Sequence, residues 1–576
     1  MKHRYLALTI GPIFATLQSA RSTKALWTAS YLFSWLMREI LRNLRQKNGI
    51  TLLNLPNSDE FFEDKKRVGL FSDRLTAKLD VGANIELQKI VSGVADKLAQ
   101  KITADLNAKD YQRADEDGKK HLPEPLYVES DVRQFLKQYL RLLAVEFELP
   151  DDDRNPVKTA DAFLNSLELQ ATFTPQQERD VLEPFFEDLF FNFFIRQEFG
   201  NDAGFRSTLE IATASFAAHD GKKYKEAVDE LRKFERGTKA LDAQRKQEDF
   251  IRTVRAIKPD RFKLCHKYIT IVRADGDHIG HLFKTLLEQN AEKGRQLADA
   301  LAQFSLAASK AIEGFGGVPV FAGGDDLLFF APVSVEIEKQ EFINNSKWER
   351  QNIFDLLDTL DELFKKKITD SDIVQAIAEK LEGKQPTMSY GLSISHHKYP
   401  LAESLDLAQR RLLFSEIKGG NHRNSIAWRV TKHSGAGFGM VSIKSKHSHQ
   451  IFKALLGVKL SPEEQSNAFL ASVMYKLESL EGLFTATAHK PDEHFENIIF
   501  NNFNENVHRV EVERNGKKEK ELSPFLKQVV ALLKACFAEN PCPEGAANRD
   551  KIVRENLDRA YAALRFIHFL ETEDKD

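Results

Sequence analysis

Two apolar runs, Val318–Ala322 and Leu327–Phe330, are joined by Gly323, Gly324, Asp325 and Asp326. Such a pattern predicts a tight hairpin between two buried strands, with the paired carboxylates at its tip. The glycines suit a turn that lets a phosphate approach the backbone. Adjacent carboxylates repel each other unless a cation sits between them. Hard divalent cations take oxygen ligands, and phosphoryl transfer uses two such ions to neutralise the charge of an in-line displacement. The plainer reading is an Asp-rich turn with no chemistry, since Asp and Gly are ordinary turn residues.

A second acidic strand end lies upstream. Residues 267–280 read as a buried strand running into Asp275, Gly276 and Asp277. Between Ile279 and Ile312 the residues Leu282, Leu286, Leu297, Leu301, Phe304 and Ala308 recur at helical steps, enough for one or two amphipathic helices. A strand, a helical crossover and the hairpin would lie side by side in one sheet, so Asp275, Asp325 and Asp326 are expected to converge on a metal site. Asp277 joins them as a fourth carboxylate only if the strand continues that far.

Downstream, Met388–Ser395 alternates like a strand, and Pro400 opens a helix carrying Leu401, Leu405, Ala408, Leu412 and Ile417 on one face. That helix ends at Lys418, Gly419 and Gly420, ahead of a strand over 425–430. Lys418 is either a C-terminal cap favoured by the helix dipole or, with Arg423, a group reaching a triphosphate.

These three pieces resemble the palm domain of nucleotide cyclases and GGDEF-type enzymes. The Asp-Gly-Asp strand end, the Gly-Gly-Asp-Asp hairpin and His397–Leu401 leading to Lys418, Arg423 and Asn424 are more closely similar to the large subunit of type III CRISPR effector complexes. Tyr5–Ile10 with Gly11 and Pro12, then residues 20–32 around Trp27, is similar to the first palm of the Cmr, or type III-B, branch. The resemblance implies an α+β protein: two ferredoxin-like palm domains plus helical middle and C-terminal domains. The expected boundaries are 1–106 for a non-catalytic first palm, 107–262 for a helix-rich middle, 263–432 for the second palm with the Gly-Gly-Asp-Asp site, and 433–576 for a helical C-terminal domain.

The resemblance also implies a function. This would be the signalling subunit of an RNA-guided antiviral complex, a nucleotidyltransferase that on target RNA binding transfers AMP from ATP. The product would be a cyclic oligoadenylate, or AMP joined to another acceptor such as S-adenosylmethionine. Asp275, Asp325 and Asp326 would be catalytic, and with Asp277 would hold two Mg²⁺ or Mn²⁺ ions. Gly323, Gly324, Lys418, Arg423 and Ser30 would contact the nucleotide. Partners would be other Cmr subunits, guide RNA and target RNA. A non-catalytic RNA-binding scaffold is the alternative, since palm-type folds also serve as plain RNA-binding modules. A free-standing cyclase leaves the helical domains and the Trp27 region unexplained.

Composition is consistent with this. A chain of 576 residues contains several domains, and 42% hydrophobic with 29% charged residues describes a soluble globular protein. The 42 phenylalanines, against 11 tyrosines and 4 tryptophans, read as core. A net charge of -3 excludes a surface wrapped throughout in nucleic acid, so partners would supply much of the positive charge. Three cysteines, Cys265, Cys536 and Cys542, exclude a disulfide framework and point to a reducing cytoplasm. The four-cysteine zinc site of many relatives is not expected. Residues 5–17 are too short to span a bilayer, which needs about 20, and no membrane association is expected.

Elsewhere Leu52–Pro56 reads as a strand, 71–106 as helix, 107–124 as a polar linker and Phe185–Phe194 as core, with Asn515 and Gly516 turning a hairpin. His219 and Asp220 suggest an HD phosphohydrolase centre, but the other ligands have no counterpart and the chain opens directly on the palm-like segment, so HD nuclease activity is not expected. His396 and His397, adjacent on a strand, are expected on opposite faces. Residues 444–449 are either a solvated basic loop or a contact for RNA or a partner subunit. No Walker loop, Ser-His-Asp set or dinucleotide fingerprint stands out.

Overall fold

The computed structural model describes residues 2–574 except 64–66, 84, 107–112, 115–119, 122–128, 151–154, 171–193, 195–197, 200–204, 234–239, 343–344, 459–466, 505–507 and 515–516. It opens on strand β1 (Lys2–Gly11), followed by helices α1 (Ile13–Ser19) and α2 (Thr23–Arg45). Ser22 caps α2 by accepting a hydrogen bond from the Ala25 N–H. Strands β2 (Ile50–Leu52) and β3 (Arg74–Leu79), helix α3 (Leu87–Leu106), strand β4 (Arg141–Pro150) and helix α4 (Pro156–Gln170) complete the first unit. The sheet order is β2-β3-β1-β4, antiparallel throughout, which is the ferredoxin-like arrangement.

Alternation along β1 explains its continuous burial. Leu6, Leu8 and Ile10 join the core built with α2 and α3, whereas Ala7 packs on Ala160 and Leu164 of α4. Two sequence expectations are corrected here. Residues 74–79 form a strand inside the segment read as helix, because Leu75, Ala77 and Leu79 alternate inward against β1. The first unit also extends past 106, since β4 supplies its fourth strand and α4 covers its second face.

The second unit contains β5 (Tyr268–Asp277), α5 (Ala291–Gly314), β6 (Val318–Gly323), β7 (Asp326–Pro332), β8 (Thr387–His396), β9 (Ser425–Thr431) and β10 (Gly437–Ile443). Its order, β10-β9-β8-β5-β7-β6, is the same ferredoxin-like core with two strands added beside β8. Two helices, Ile279–Leu287 and α5, make the crossover between β5 and the hairpin. Along β5, Val272 and Ala274 face the core that includes α5, while Ile269 and Ile271 pack on Leu26 and Ala29 of α2. The two palm units therefore meet across one face of the second sheet. A backbone bond from the Ala322 N–H to the Gly69 carbonyl ties the hairpin strand to the first unit.

The helix after Pro400 is α-helical over Leu401–Asp406 and a π-helix over Leu407–Gly419. Ala408, Leu412 and Ile417 are buried as the apolar spacing predicts. Helices α6 (Pro524–Glu539) and α7 (Arg549–Glu571) belong to the C-terminal region, where Phe566 joins Trp428, Phe354 and Phe452 in one aromatic cluster. Strands Arg509–Arg514 and Lys517–Leu522 pair as the hairpin read around Asn515. The middle region contributes helices Gly221–Lys233 and Ala240–Ile257, which pack on each other. Of the aromatic run, Phe194 is buried against Tyr31 and Trp35, and Phe185 with the rest of the run lies outside the described residues, as does most of 107–124. No helix among the described residues is long and apolar enough to cross a membrane.

Candidate active site

Gly323 pairs with Asp326 across the hairpin, so Gly324 and Asp325 form a two-residue turn. Gly324 has φ +74°, the left-handed value that this turn requires at its first position and that glycine adopts freely. Asp325 stands at the tip. The neighbouring strand ends in the same place: Ala274 pairs with Leu327, which sets Asp275 level with the turn. Strand β5 continues through Asp277, in register with Thr387 of β8.

Asp275, Asp325 and Asp326 are close enough to perturb one another. Burial first, then the charges of Asp326 and Asp275, pushes the Asp325 carboxyl well above the usual carboxylate range. Burial and the charge of Asp326 likewise raise Asp275, against the opposing pull of Lys418. Lys418, at the end of the π-helix, reaches back to Asp275 and lies 2.8 Å from Oδ1 of Asp277. Arg273 donates to Oδ2 of Asp326 at 2.9 Å.

Asp277, expected as a fourth metal carboxylate, is filled by the protein instead. Its Oδ2 accepts hydrogen bonds from Thr387 Oγ1 at 2.8 Å, Ser389 Oγ at 2.7 Å and the Asn424 N–H at 2.9 Å. Burial pushes its carboxyl up, but Lys418 and these donors outweigh that and hold it below the usual range. Its side chain is fully buried, and both of its oxygens are engaged by the protein. Lys418 is thus neither a simple helix cap nor a free phosphate clamp, because its ammonium already serves two carboxylates. Arg423 lies 3.7 Å from Asp277 and is a third of the way exposed. Ser30 is buried on α2, the helix packed against β6, the strand that runs into the turn.

Four carboxylates thus face Lys418, Arg273 and Arg423, and Asp325 alone forms no ion pair among the described residues. No three His, Cys, Asp or Glu side chains there are already drawn into a metal cage. The donor set still fits a hard divalent cation: Asp325, Asp275 and Asp326 are oxygen ligands whose mutual repulsion such an ion relieves.

Sequence reasoning overlooked Arg273, Thr387, Ser389 and the Asn424 backbone. Strand alternation was a usable signal for Arg273, two residues from Asp275 and so on the same face. The donors to Asp277 come from β8 and the 421–424 turn, and only the assembled sheet brings them together.

The remaining features have structural roles. His219 contacts Glu336 at 2.9 Å, and Asp220 accepts from the Lys223 N–H at a helix start. The rings of His396 and His397 lie 4.4 Å apart, because β8 ends at His396 and the chain turns there rather than alternating onward. In the basic segment, Lys444 bonds Asp361 at 2.6 Å and Ser448 bonds Glu539. The three cysteines are buried free thiols.

Comparison with known proteins agrees with this architecture. The family described as Cas10/Cmr2, second palm domain, matches residues 268–427, and that described as CRISPR-associated protein Cmr2, N-terminal, matches residues 5–109. The fold is similar to the apo state of type III-B Cmr-beta, with 13% sequence identity, a TM-score of 0.52 and coverage of 93% of this chain and 82% of that one. Type III-B Cmr-beta bound to cognate target RNA gives 11% identity, a TM-score of 0.52 and coverage of 93% and 83%. No curated protein matches the sequence. The chain thus carries a Cmr2-type N-terminal domain and a Cas10/Cmr2-type second palm domain, in that order, and each falls on one of the two ferredoxin-like sheets.

Proposed function

We propose that this protein is the signalling subunit of an RNA-guided type III-B complex and that it transfers AMP from ATP when target RNA binds. The observation that carries this reading is Asp325: a hairpin-tip carboxylate without a cation of its own, facing Asp275 and Asp326. A degenerate palm used only as scaffold has no need to keep that repulsion. The two domain matches and the likeness to Cmr-beta bound to cognate target RNA support the assembly with guide RNA, target RNA and other Cmr subunits.

Asp275, Asp325 and Asp326 would hold Mg²⁺ or Mn²⁺, which when bound supplies neutralisation of triphosphate charge and activation of an acceptor hydroxyl. The other side chains prepare the site. Lys418 holds Asp275 and Asp277 together, so the end of β5 stays in register with the hairpin. The Asp277 bonds to Ser389, Thr387 and Asn424 fix the loop bearing Arg423 beside the nucleotide. Gly324 lets the α-phosphate approach the turn, and Gly323 sits at its base. Attack by an acceptor hydroxyl on the α-phosphate forms the new phosphoester and releases pyrophosphate. The product is a cyclic oligoadenylate or an AMP conjugate of another acceptor such as S-adenosylmethionine, a choice made by pocket walls rather than metal ligands. The buried free thiols suit the cytoplasm.

The test is incubation of the purified complex with radiolabelled ATP, Mg²⁺ and cognate target RNA, followed by mass analysis of small products. An AMP-containing product lost in Asp325→Ala with Asp326→Ala, while RNA binding survives, supports the enzyme. An unchanged product profile in that double variant leaves the scaffold reading.

A further inference from the structure

The two palm sheets end in β2 and β4, and in β6 and β10. Three of these edges are guarded. β2 is three residues long. β4 carries exposed Glu146 and Glu148 and ends at Pro150. β6 contains Pro319 and is tied to Gly69 of the first unit through the Ala322 N–H. The fourth edge, β10, reads Gly-Phe-Gly-Met-Val-Ser-Ile, with no charge and no proline. Shortness, charge and proline are the ordinary guards against strand addition, and β10 has none of them.

Its outer backbone is open. The Lys444 N–H bonds the Asn424 carbonyl and the Lys432 N–H bonds the Ala436 carbonyl, which fixes the ladder between β9 and β10 at both ends. The same two-residue period turns Phe438, Met440 and Ser442 toward β9 for hydrogen bonding and leaves the N–H and C=O groups of Gly437, Gly439 and Val441 pointing outward. None of these groups bonds the backbone of another segment among the described residues. Both faces of the strand are nevertheless covered, since Phe438 and Met440 pack on the main core and Val441 on the cluster that contains Ile417.

Charge narrows the occupant. Residues 417–462 contain no Asp or Glu and eight Lys and Arg side chains. Lys418 and Arg423 face Asp277, Lys444 faces Asp361 and Lys453 faces Asp358. Arg429, Lys432 and Lys446 form no ion pair among the described residues. Lys432 and Lys446 lie beyond the two ends of β10, and Arg429 stands opposite Gly439. A Cβ on Gly437 would stand 3.1 Å from Arg429 Nε, so the bare glycine leaves the guanidinium lying over β10, toward its open edge. An extended acidic chain satisfies both features, bonding the outward backbone groups and placing carboxylates on the three cations. RNA would leave those backbone groups unpaired, and a second copy of β10 would bring like charges together.

We propose that the outer edge of β10 receives an extended, acidic segment of a partner protein, which adds a strand to the second palm sheet. This holds whether or not the palm is catalytic.

The test is fluorescence anisotropy of a labelled strand-length peptide that alternates Val or Thr with Glu, titrated with the full-length protein beside the same peptide with Lys for Glu and a single-stranded RNA of equal charge. The Glu peptide should bind at least about tenfold more tightly than the Lys peptide. Val441→Pro removes one outward N–H and no ladder bond, and should weaken binding about tenfold; Arg429→Gln should weaken it roughly threefold to tenfold. Hydrogen exchange should show the Gly437, Gly439 and Val441 amides protected by the Glu peptide. Equal binding of the two peptides, or unchanged binding in both variants with circular dichroism intact, overturns the proposal. Should Val441→Pro not fold, Arg429→Gln and the exchange pattern decide, and wild-type affinity with unprotected amides overturns it. RNA that displaces the Glu peptide and binds more weakly to Arg429→Gln assigns the patch to RNA and overturns it, as does a dimer of the free chain that Val441→Pro dissociates.

Discussion

Gly276 and Asp325 meet with no room for a methyl group: a Cβ on Gly276 would stand 2.6 Å from the Cβ of Asp325 and 2.9 Å from its Oδ2. The glycine between Asp275 and Asp277 is what lets the hairpin tip close on the strand end. Gly276→Ala should displace Asp325 on the order of 1 Å and reduce AMP-product formation about a hundredfold, as small misplacements at a reacting centre do. Product assays on the RNA-activated complex, beside a thermal melt showing a folded chain, check this. Full activity in that variant would show that Asp325 tolerates displacement.

Lys418 and Asp277 form a buried pair, with Lys418 at 15% side-chain exposure and Asp277 at 0%. Lys418→Met should destabilise the second palm by roughly 3 kcal/mol, because it leaves a buried carboxylate with only the more distant Arg423 as its cation. Adding Asp277→Asn to that variant should restore part of the loss, and a double-mutant cycle by chemical denaturation measures the coupling. Additive losses would mean that the pair does not interact.

His266 supplies a pH dependence away from the carboxylates. Burial, then the charge of Arg350, lowers its pKa to about 3, and its Nδ1 accepts from the Lys263 N–H. The unfolded chain takes up a proton near pH 6.5 while the folded one does not, so stability is complete above that pH and falls as pH drops toward 3. At pH 5 the loss is about 2 kcal/mol from this residue alone, at 1.36 kcal/mol per pH unit. His397, lowered to about 3, and His449, to about 4, act in the same direction. Denaturation midpoints at pH 7, 6 and 5 should show the slope, and His266→Asn should flatten it.

Lys444 tests the basic segment. It bonds Asp361 at 2.6 Å and lies 4.9 Å from the centre of the Tyr390 ring. Asp361 also accepts from the Tyr390 hydroxyl at 2.8 Å. Lys444→Gln should lower the melting midpoint through a loss of roughly 3 kcal/mol, as breaking a partly buried pair does, and leave the affinity of the complex for target RNA unchanged. A selective fall in RNA affinity would instead make the segment an RNA contact.

The strand ends and the turn were legible in the residues alone. Uninterrupted apolar runs around Asp275 and around Gly323–Asp326 left buried strands as the way to shelter those side chains, and Gly324 met the positive φ of the turn. The same local signals failed at 74–79, where a six-residue strand hides in a stretch of helical composition, and at 141–150, whose membership of the first sheet depends on pairing with β1 from the far end of the unit. What each charged group does depends on the assembled fold. Asp277 and Asp275 look equivalent in the sequence, yet one is filled by donors from β8 and the 421–424 turn while the other faces the hairpin. Arg273 gains its role from a strand more than fifty residues away. The physical reason is range: periodicity and turn chemistry act over a few residues, whereas burial, repulsion and ion pairing are set by neighbours that the folded chain brings together.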